Sequence, residues 1–132
     1  MISPYAFAPR RIDKPWGYEL VWAEADAYVG KVLFVRAGQA LSLQYHETKD
    51  EAWLVQEGNA LLELGELAGE LRTVEISAGD AFRFRPGTVH RVTAVEDTRI
   101  LEVSTPQLDD VVRLDDRYGR PARDAAPPRH QS

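Results

Sequence analysis

Short strand-sized runs separated by glycines constrain the fold of this chain more than any other feature. Apolar or alternating stretches recur at intervals of roughly eight to twelve residues, which is typical of an antiparallel sandwich or barrel. The stretches are 28–35, 40–45, 53–56, 60–64, 72–76, 81–85, 89–95 and 99–103. Glycines stand in the gaps at Gly38, Gly58, Gly65, Gly69, Gly79 and Gly87. The sequence therefore predicts an all-β domain.

The two ends of the chain depart from this pattern. We expect an N-terminal extension over 1–10, one domain over 11–120, and a tail over 121–132. The tail has three prolines and almost no large apolar residue, so it is predicted to be disordered and its His130 to have no function. Helical spacing persists only near 108–114, where a short helical turn is expected.

Composition excludes several classes of function. The net charge of −5 and the absence of a basic run disfavour a nucleic-acid partner. The absence of cysteine excludes disulfides, thiolate metal ligands and a cysteine nucleophile. No run of roughly eighteen apolar residues occurs and no signal peptide is visible, so we expect no membrane association and a cytoplasmic location.

Four polar residues in or beside the strand-like runs form a candidate metal site. In a strand Gln44 and His46 share one face, and burying them inside a barrel is costly unless they find partners. Glu51 follows His46 after four residues, so the two side chains can converge from adjacent strands, and His90 opens a later strand. Two imidazoles, a carboxylate and an amide oxygen suit Zn, Fe, Mn, Co or Ni. The plainer alternative is core histidines with an ion pair between His46 and Glu51.

The spacing of these residues with the glycines resembles the two motifs of the cupin superfamily. The first motif is matched by Gly38, Gln44, His46, Glu51 and Gly58, and the second by Gly79, Gly87 and His90. Gln44 stands where many cupins carry a first histidine. The resemblance implies a single-domain cupin, a jelly-roll barrel or double-stranded β-helix. It also implies one divalent metal ion, with Zn as the first choice and Mn, Fe, Co or Ni as alternatives.

A longer set of segments resembles the type II mannose-6-phosphate isomerase family. This family also supplies the C-terminal domain of bifunctional mannose-1-phosphate guanylyltransferases. The matching segments are Lys14–Glu19, Leu41–His46, Glu51–Trp53, His90–Arg91, Leu101–Val103 and Asp116–Arg120. The resemblance implies a metal-dependent aldose–ketose isomerase whose small-molecule substrate is a sugar or sugar phosphate such as mannose 6-phosphate. It also implies a homodimer.

Such an isomerase moves a proton between adjacent carbons through an enediol, so it needs a base beside the metal. Lys31 is one candidate, since it shares strand parity with Leu33 and Val35 and would point inwards. Glu102 is the second candidate. For each, a solvent-facing position is the alternative.

A phosphorylated substrate also needs an anion clamp. Arg117 and Arg120 are candidates because a guanidinium presents paired donors to phosphate oxygens. Simple surface pairing with the neighbouring aspartates is the alternative. Trp53, two residues beyond Glu51, is a candidate to contact a sugar, although a tryptophan in a small barrel is usually core.

Three other functions fit the same ligands. One is a lyase or isomerase that acts on an unphosphorylated substrate, for which Arg117 and Arg120 would be dispensable. His46, His90 and Glu51 can also be read as the two histidines and one carboxylate of a mononuclear iron oxygenase. A non-enzymatic sugar-binding module would use the pocket without a proton shuttle.

Overall fold

Eleven strands and their turns form the part of the chain that the computed structural model describes, residues 4–107 and 109–124. The strands are β1 (Arg10–Lys14), β2 (Gly17–Glu24), β3 (Val29–Val35), β4 (Leu43–Tyr45), β5 (Glu51–Glu57), β6 (Asn59–Glu66), β7 (Arg72–Ser77), β8 (Ala81–Phe84), β9 (Thr88–Ala94), β10 (Thr98–Ser104) and β11 (Val112–Asp115). These residues contain no helix, and therefore none that is long and apolar enough to cross a bilayer.

The strands form two antiparallel sheets that enclose the core. The six-stranded sheet has the order β1-β2-β3-β10-β5-β8, and the five-stranded sheet has the order β11-β4-β9-β6-β7. Inward side chains of both sheets make one apolar cluster, which includes Leu33, Val55, Leu62, Val92 and Ile100. The all-β prediction is confirmed.

Alternation along the strands explains which residues reach the interior. In β10, Ile100 and Glu102 are buried, whereas the residue after Glu102, Val103, is 55% exposed. Successive side chains of a strand point to opposite faces, so a buried Ile100 places Glu102 inside as well. The same rule buries Lys31 on β3, on the face that Leu33 shares.

All eight predicted runs are strands, β3 to β10, with ends that shift by a few residues. Three strands were missed: β1, which begins within the predicted extension at Arg10, β2 and β11. The expected helical turn is wrong for residues 112–114, which lie in β11. Val112 pairs with Tyr45 of β4, and this ladder satisfies the backbone better than an isolated turn can. Leu108 lies outside the described residues.

The first residues of the predicted tail are described and contact β11. The backbone N–H of Arg113 donates to the carbonyl of Ala122 at 2.7 Å, and the Arg113 guanidinium pairs with Asp124. Residues 125–132, with His130, lie outside the described residues.

Candidate metal centre

Three of the four predicted ligands meet inside the barrel. His46 directly follows β4, Glu51 opens β5 and His90 lies in β9. Glu51 Oε1 is 2.9 Å from Nε2 of His90 and 3.5 Å from Nε2 of His46. All three side chains are buried, and their ligand atoms lie within 4.8 Å of one another.

The orientation of both imidazoles leaves an unprotonated nitrogen facing the carboxylate. Nδ1 of His90 donates to the carbonyl of Thr88 at 2.9 Å, and Nδ1 of His46 donates to the carbonyl of Asp110. A neutral imidazole that donates through Nδ1 keeps its lone pair on Nε2. Backbone carbonyls orient metal-ligating histidines in this way.

The resulting cluster of acceptors fits a cation. Both Nε2 atoms and Glu51 Oε1 are buried and have no hydrogen-bond partner among the described residues. Two lone pairs and a carboxylate oxygen directed at one another repel unless positive charge lies between them. Two imidazole nitrogens and a carboxylate oxygen form a donor set that suits Zn, Fe, Mn, Co or Ni. The residues present therefore fit one divalent ion.

The ligands converge across the interior rather than along one sheet. The prediction that His46 and Glu51 lie on adjacent strands is wrong, because β4 belongs to the five-stranded sheet and β5 to the six-stranded sheet. The turn between them crosses from one sheet to the other. His90 reaches the same point from β9, the neighbour of β4.

Two sets of backbone hydrogen bonds hold the turn between β4 and β5 in place. The carboxylate of Asp110 accepts from the N–H groups of three successive residues at 2.6 to 3.0 Å, namely Glu47, Thr48 and Lys49. Burial opposes the charged form of Asp110, but these N–H groups hold its pKa below the usual range. Gly87, at a φ of 86° that favours glycine, donates its N–H to the carbonyl of His46 at 2.8 Å.

Gln44 lies in the wall of the same cavity. Its Oε1 accepts a hydrogen bond from Ser42 Oγ at 2.6 Å, so the two side chains share a face as strand parity predicts. The role of Gln44 as a fourth ligand stays a prediction.

A cluster of buried charged side chains extends from the candidate ligands into the six-stranded sheet. Lys49 Nζ lies 2.9 Å from Glu51 Oε2 and 3.4 Å from Glu102 Oε2. Lys31 Nζ lies 3.9 Å from the same Glu102 oxygen and 3.4 Å from Glu19 Oε2. Both candidate bases, Lys31 and Glu102, therefore face the cavity, while their catalytic role stays a prediction.

The buried charged groups of this cluster shift one another's pKa values. Burial opposes ionisation of Glu51, yet hydrogen bonds from His46 and His90, which require a proton on Nε2 in place of a metal ion, and the charge of Lys49 hold its pKa well below the usual range. Burial likewise opposes the charged form of Lys49, but the carboxylates of Glu102 and Glu51 raise its pKa. Burial and the charge of Glu51 raise the pKa of Glu102, against the two lysines. Glu102 therefore retains a proton more readily than Glu51.

The predicted substrate-binding residues are placed differently from one another. Trp53 faces the cavity, where its Nε1–H donates to Glu102 Oε1 at 3.0 Å. Arg120 also lines the cavity but pairs with Asp116. Arg117 donates to the carbonyl of Gly38 at 2.6 Å and is not among the residues that line the cavity. Binding of substrate by these three residues remains untested.

Sequence reasoning missed several residues of the site. The missed cavity residues with charged side chains are Lys14, Glu19, Lys49, Arg113 and Asp124. Lys14 and Glu19 belong to a segment that carries the family resemblance, so a signal existed for them. Lys49 had none, because only the folded turn shows which way its side chain points.

Comparison with known proteins identifies the family. The profile of the family described as mannose-6-phosphate isomerase C-terminal matches residues 6–116. Among curated relatives, the mannose-1-phosphate guanylyltransferase of Escherichia coli strain K12 is 33% identical over 116 residues, and ManC of Salmonella typhimurium is 32% identical. Each alignment covers 84% of this chain but 23% of the relative. The chain thus spans about a quarter of the length of these relatives.

Solved structures give the same fold. CapF of Staphylococcus aureus, a capsular polysaccharide assembling protein, superposes with a TM-score of 0.69 at 16% identity, over 86% of this chain and 34% of CapF. Oxalate decarboxylase of Bacillus subtilis superposes with a TM-score of 0.71 at 16% identity, over 80% of this chain and 30% of that one. Both are cupins. This chain therefore has the cupin fold and belongs to the mannose-6-phosphate isomerase C-terminal family.

Proposed function

We propose that this chain is a metal-dependent aldose–ketose isomerase that acts on a sugar phosphate of the mannose 6-phosphate type. One observation carries the proposal. The orphaned acceptor atoms of His46, Glu51 and His90 lie next to a buried carboxyl and two buried ammonium groups in one cavity. A metal donor set with acid–base groups beside it is what an isomerase requires.

His46, Glu51 and His90 would hold the metal, with Gln44 as the proposed fourth ligand. A divalent ion there, with Zn as first choice, supplies Lewis-acid polarisation of the substrate carbonyl. No more than four protein ligands leave coordination positions open for substrate.

Glu102 is the proposed proton carrier. Its raised pKa lets the carboxyl take a proton from one substrate carbon and return it to the next. Lys31 and Lys49 lie within 3.9 Å of Glu102 Oε2 and stabilise its charged form, which accepts the proton in the first transfer and is restored by the second. The Trp53 indole donates to the other oxygen and fixes the carboxyl plane.

The names of the relatives support the substrate class. The family description and the two guanylyltransferases both refer to mannose phosphates. A sugar phosphate is accordingly the first substrate to test on this shorter chain.

The test combines metal analysis with turnover. Protein purified without chelator is expected to contain about one metal ion per chain and to convert mannose 6-phosphate to fructose 6-phosphate, followed by NMR. Glu102→Gln should keep the metal and lose at least about 100-fold in turnover, whereas His90→Ala should lose both. Arg91→Gln, whose side chain faces away from the cavity, is the matched control. Unchanged turnover in Glu102→Gln contradicts the proposal, and so does oxygen uptake without isomerisation by an iron-loaded protein.

We also propose that the chain forms a homodimer. The outer face of the six-stranded sheet carries an apolar groove that includes Trp22, Leu54, Leu101 and Val103. Contiguous exposed apolar surface commonly marks an interface in soluble proteins. Analytical ultracentrifugation should show a dimer that Leu54→Arg dissociates, and a monomeric wild type would contradict this proposal.

A further inference from the structure

The segment that follows β11 folds back on that strand and contributes to the cavity wall. The carbonyl of Ala122 accepts from the Arg113 N–H at 2.7 Å, and Arg123 Nη1 lies 2.6 Å from Glu47 Oε1. These contacts hold residues 121–124 against β11 and Glu47, and Asp124 lines the cavity.

Arg113 meets this segment with a largely buried guanidinium. Its side chain is 7% exposed, and its Nη1 and Nη2 atoms lie 2.6 and 3.1 Å from the two carboxylate oxygens of Asp124. Nη1 also donates to the carbonyl of Pro121 at 3.1 Å, while Nε is buried without a hydrogen-bond partner among the described residues. A desolvated guanidinium that binds an anion through two parallel hydrogen bonds is suited to phosphate as well as carboxylate.

Further cations surround the same carboxylate. Lys14 and Arg120 line the cavity with Arg113. The hydrogen bonds from Arg113 are the main reason that the pKa of Asp124 is low, and the charges of Lys14 and Arg120 contribute. Arg120 also pairs with Asp116, so Arg113 is the principal partner of the Asp124 carboxylate.

We propose that Arg113 forms an anion subsite in the cavity wall, that Asp124 of the same chain occupies it, and that the phosphate group of a substrate displaces Asp124. The identity of the displacing anion as a substrate phosphate rests on the proposed function, but the subsite and its occupation by Asp124 do not.

The subsite differs from the clamp that the sequence predicts. Arg117 does not line the cavity, and Arg120 already pairs with Asp116, whereas Arg113 presents two donors to a carboxylate that is 52% exposed. A phosphate dianion carries more charge than the carboxylate it replaces, so it competes effectively for the same donors.

Isothermal titration of the full chain with inorganic phosphate tests the subsite. Asp124→Asn removes the competing charge and should tighten phosphate binding about tenfold, whereas Arg113→Gln should weaken it about tenfold or more. In the double variant the gain from Asp124→Asn should disappear. Arg113→Lys, which keeps the charge but not the paired donors, provides a second variant if Arg113→Gln does not fold.

The Arg91–Glu63 pair supplies matched controls. It has a similar paired geometry, at 2.9 and 3.1 Å, but lies away from the cavity wall, so Glu63→Gln and Arg91→Gln should leave phosphate binding unchanged. Phosphate affinity that is the same in wild type and Asp124→Asn overturns the occupation by Asp124. Affinity that survives both Arg113 variants overturns the subsite. Turnover of mannose 6-phosphate is measured separately, so failure of the isomerase proposal is distinguishable from failure of the subsite.

Discussion

The two ends of the barrel interior are built on the same strands but from different chemistry. Along each of four strands the inward positions run from apolar to ionisable within a few residues. The pairs are Leu33 and Lys31 on β3, Val55 and Glu51 on β5, Val92 and His90 on β9, and Ile100 and Glu102 on β10. Strand parity buries both members of each pair equally, so burial alone does not distinguish packing from function.

The two ends differ in how their burial affects the free energy of folding. Burial of the apolar end stabilises the fold directly. The charged end must be desolvated, and a buried ion pair seldom repays that cost in full. Clusters of buried charges with shifted pKa values are accordingly more common at functional sites than in structural cores. The comparison predicts that substitutions at the two ends affect stability and metal binding differently.

Lys49→Met should have the largest effect on the stability of the metal-free protein. The substitution leaves Glu51 and Glu102 buried without their shared ammonium group, which should lower the free energy of unfolding by about 3–5 kcal/mol. Added Zn²⁺ should then stabilise the variant more than the wild type, because the ion restores positive charge beside Glu51. Urea denaturation with and without Zn²⁺ measures both quantities.

Arg10→Met is the control for Lys49→Met. The pair between Arg10 and Glu24 is exposed, so its loss should change the free energy of unfolding by less than about 1 kcal/mol. If metal-free Lys49→Met were as stable as the wild type, the charged end would not depend on ion pairing and the comparison would fail.

Ile100→Ala tests the apolar end. Ile100 is fully buried and is not among the residues that line the cavity, so the variant should lose about 2–5 kcal/mol of stability and keep its metal content per folded chain. Val103→Ala, on the exposed face of the same strand, should lose less than about 1 kcal/mol. Loss of metal from folded Ile100→Ala would show that the two ends are not independent.

The pairs of inward residues also show what the sequence could predict. Alternation identified β3 to β10, and spacing together with the cupin resemblance selected His46, Glu51 and His90. The strand β1 escaped because four of its five residues are charged, and β2 escaped because its apolar residues run together instead of alternating with polar ones. Parity placed Lys31 inside as one of two alternatives, and only the observed burial decides between them.

The rest of the site depends on contacts between distant residues. Lys49 points at Glu51 and Glu102 because the turn before β5 is fixed by Asp110, 61 residues away from Lys49 in sequence. A single sequence carries no signal for such a contact. The carboxylate of Asp124 reaches Arg113 for a similar reason, since the segment after Arg120 looks like a polar tail until its contacts with β11 are seen.

Asp110→Ala tests whether the charged end needs this turn. Three backbone N–H groups lose their acceptor, so stability should fall by about 1–3 kcal/mol. Metal affinity should fall about tenfold, because the backbone carbonyl of residue 110, which orients His46, is no longer held against the turn by the carboxylate. Asp97→Ala, which removes a single acceptor from the N–H of Ala37, should lose stability without loss of metal affinity. Equal metal affinity in Asp110→Ala and the wild type would contradict this role for the turn.

The pair between Asp116 and Arg120 should give the smallest effect, because the Arg120 side chain is 21% exposed and stays hydrated when Asp116 loses its charge. Hydrogen bonds from Arg120 hold the pKa of Asp116 below the usual range. A lowered carboxyl pKa means that the pair stabilises the fold above the unfolded pKa, about 3.9, and that this contribution disappears as the pH falls through the lower folded pKa. The free energy of unfolding should therefore differ between wild type and Asp116→Asn by about 1 kcal/mol at neutral pH, and the difference should shrink at about pH 3. A difference that grows on acidification would have the wrong sign for a lowered pKa, and would mean that Asp116 is held in its protonated form.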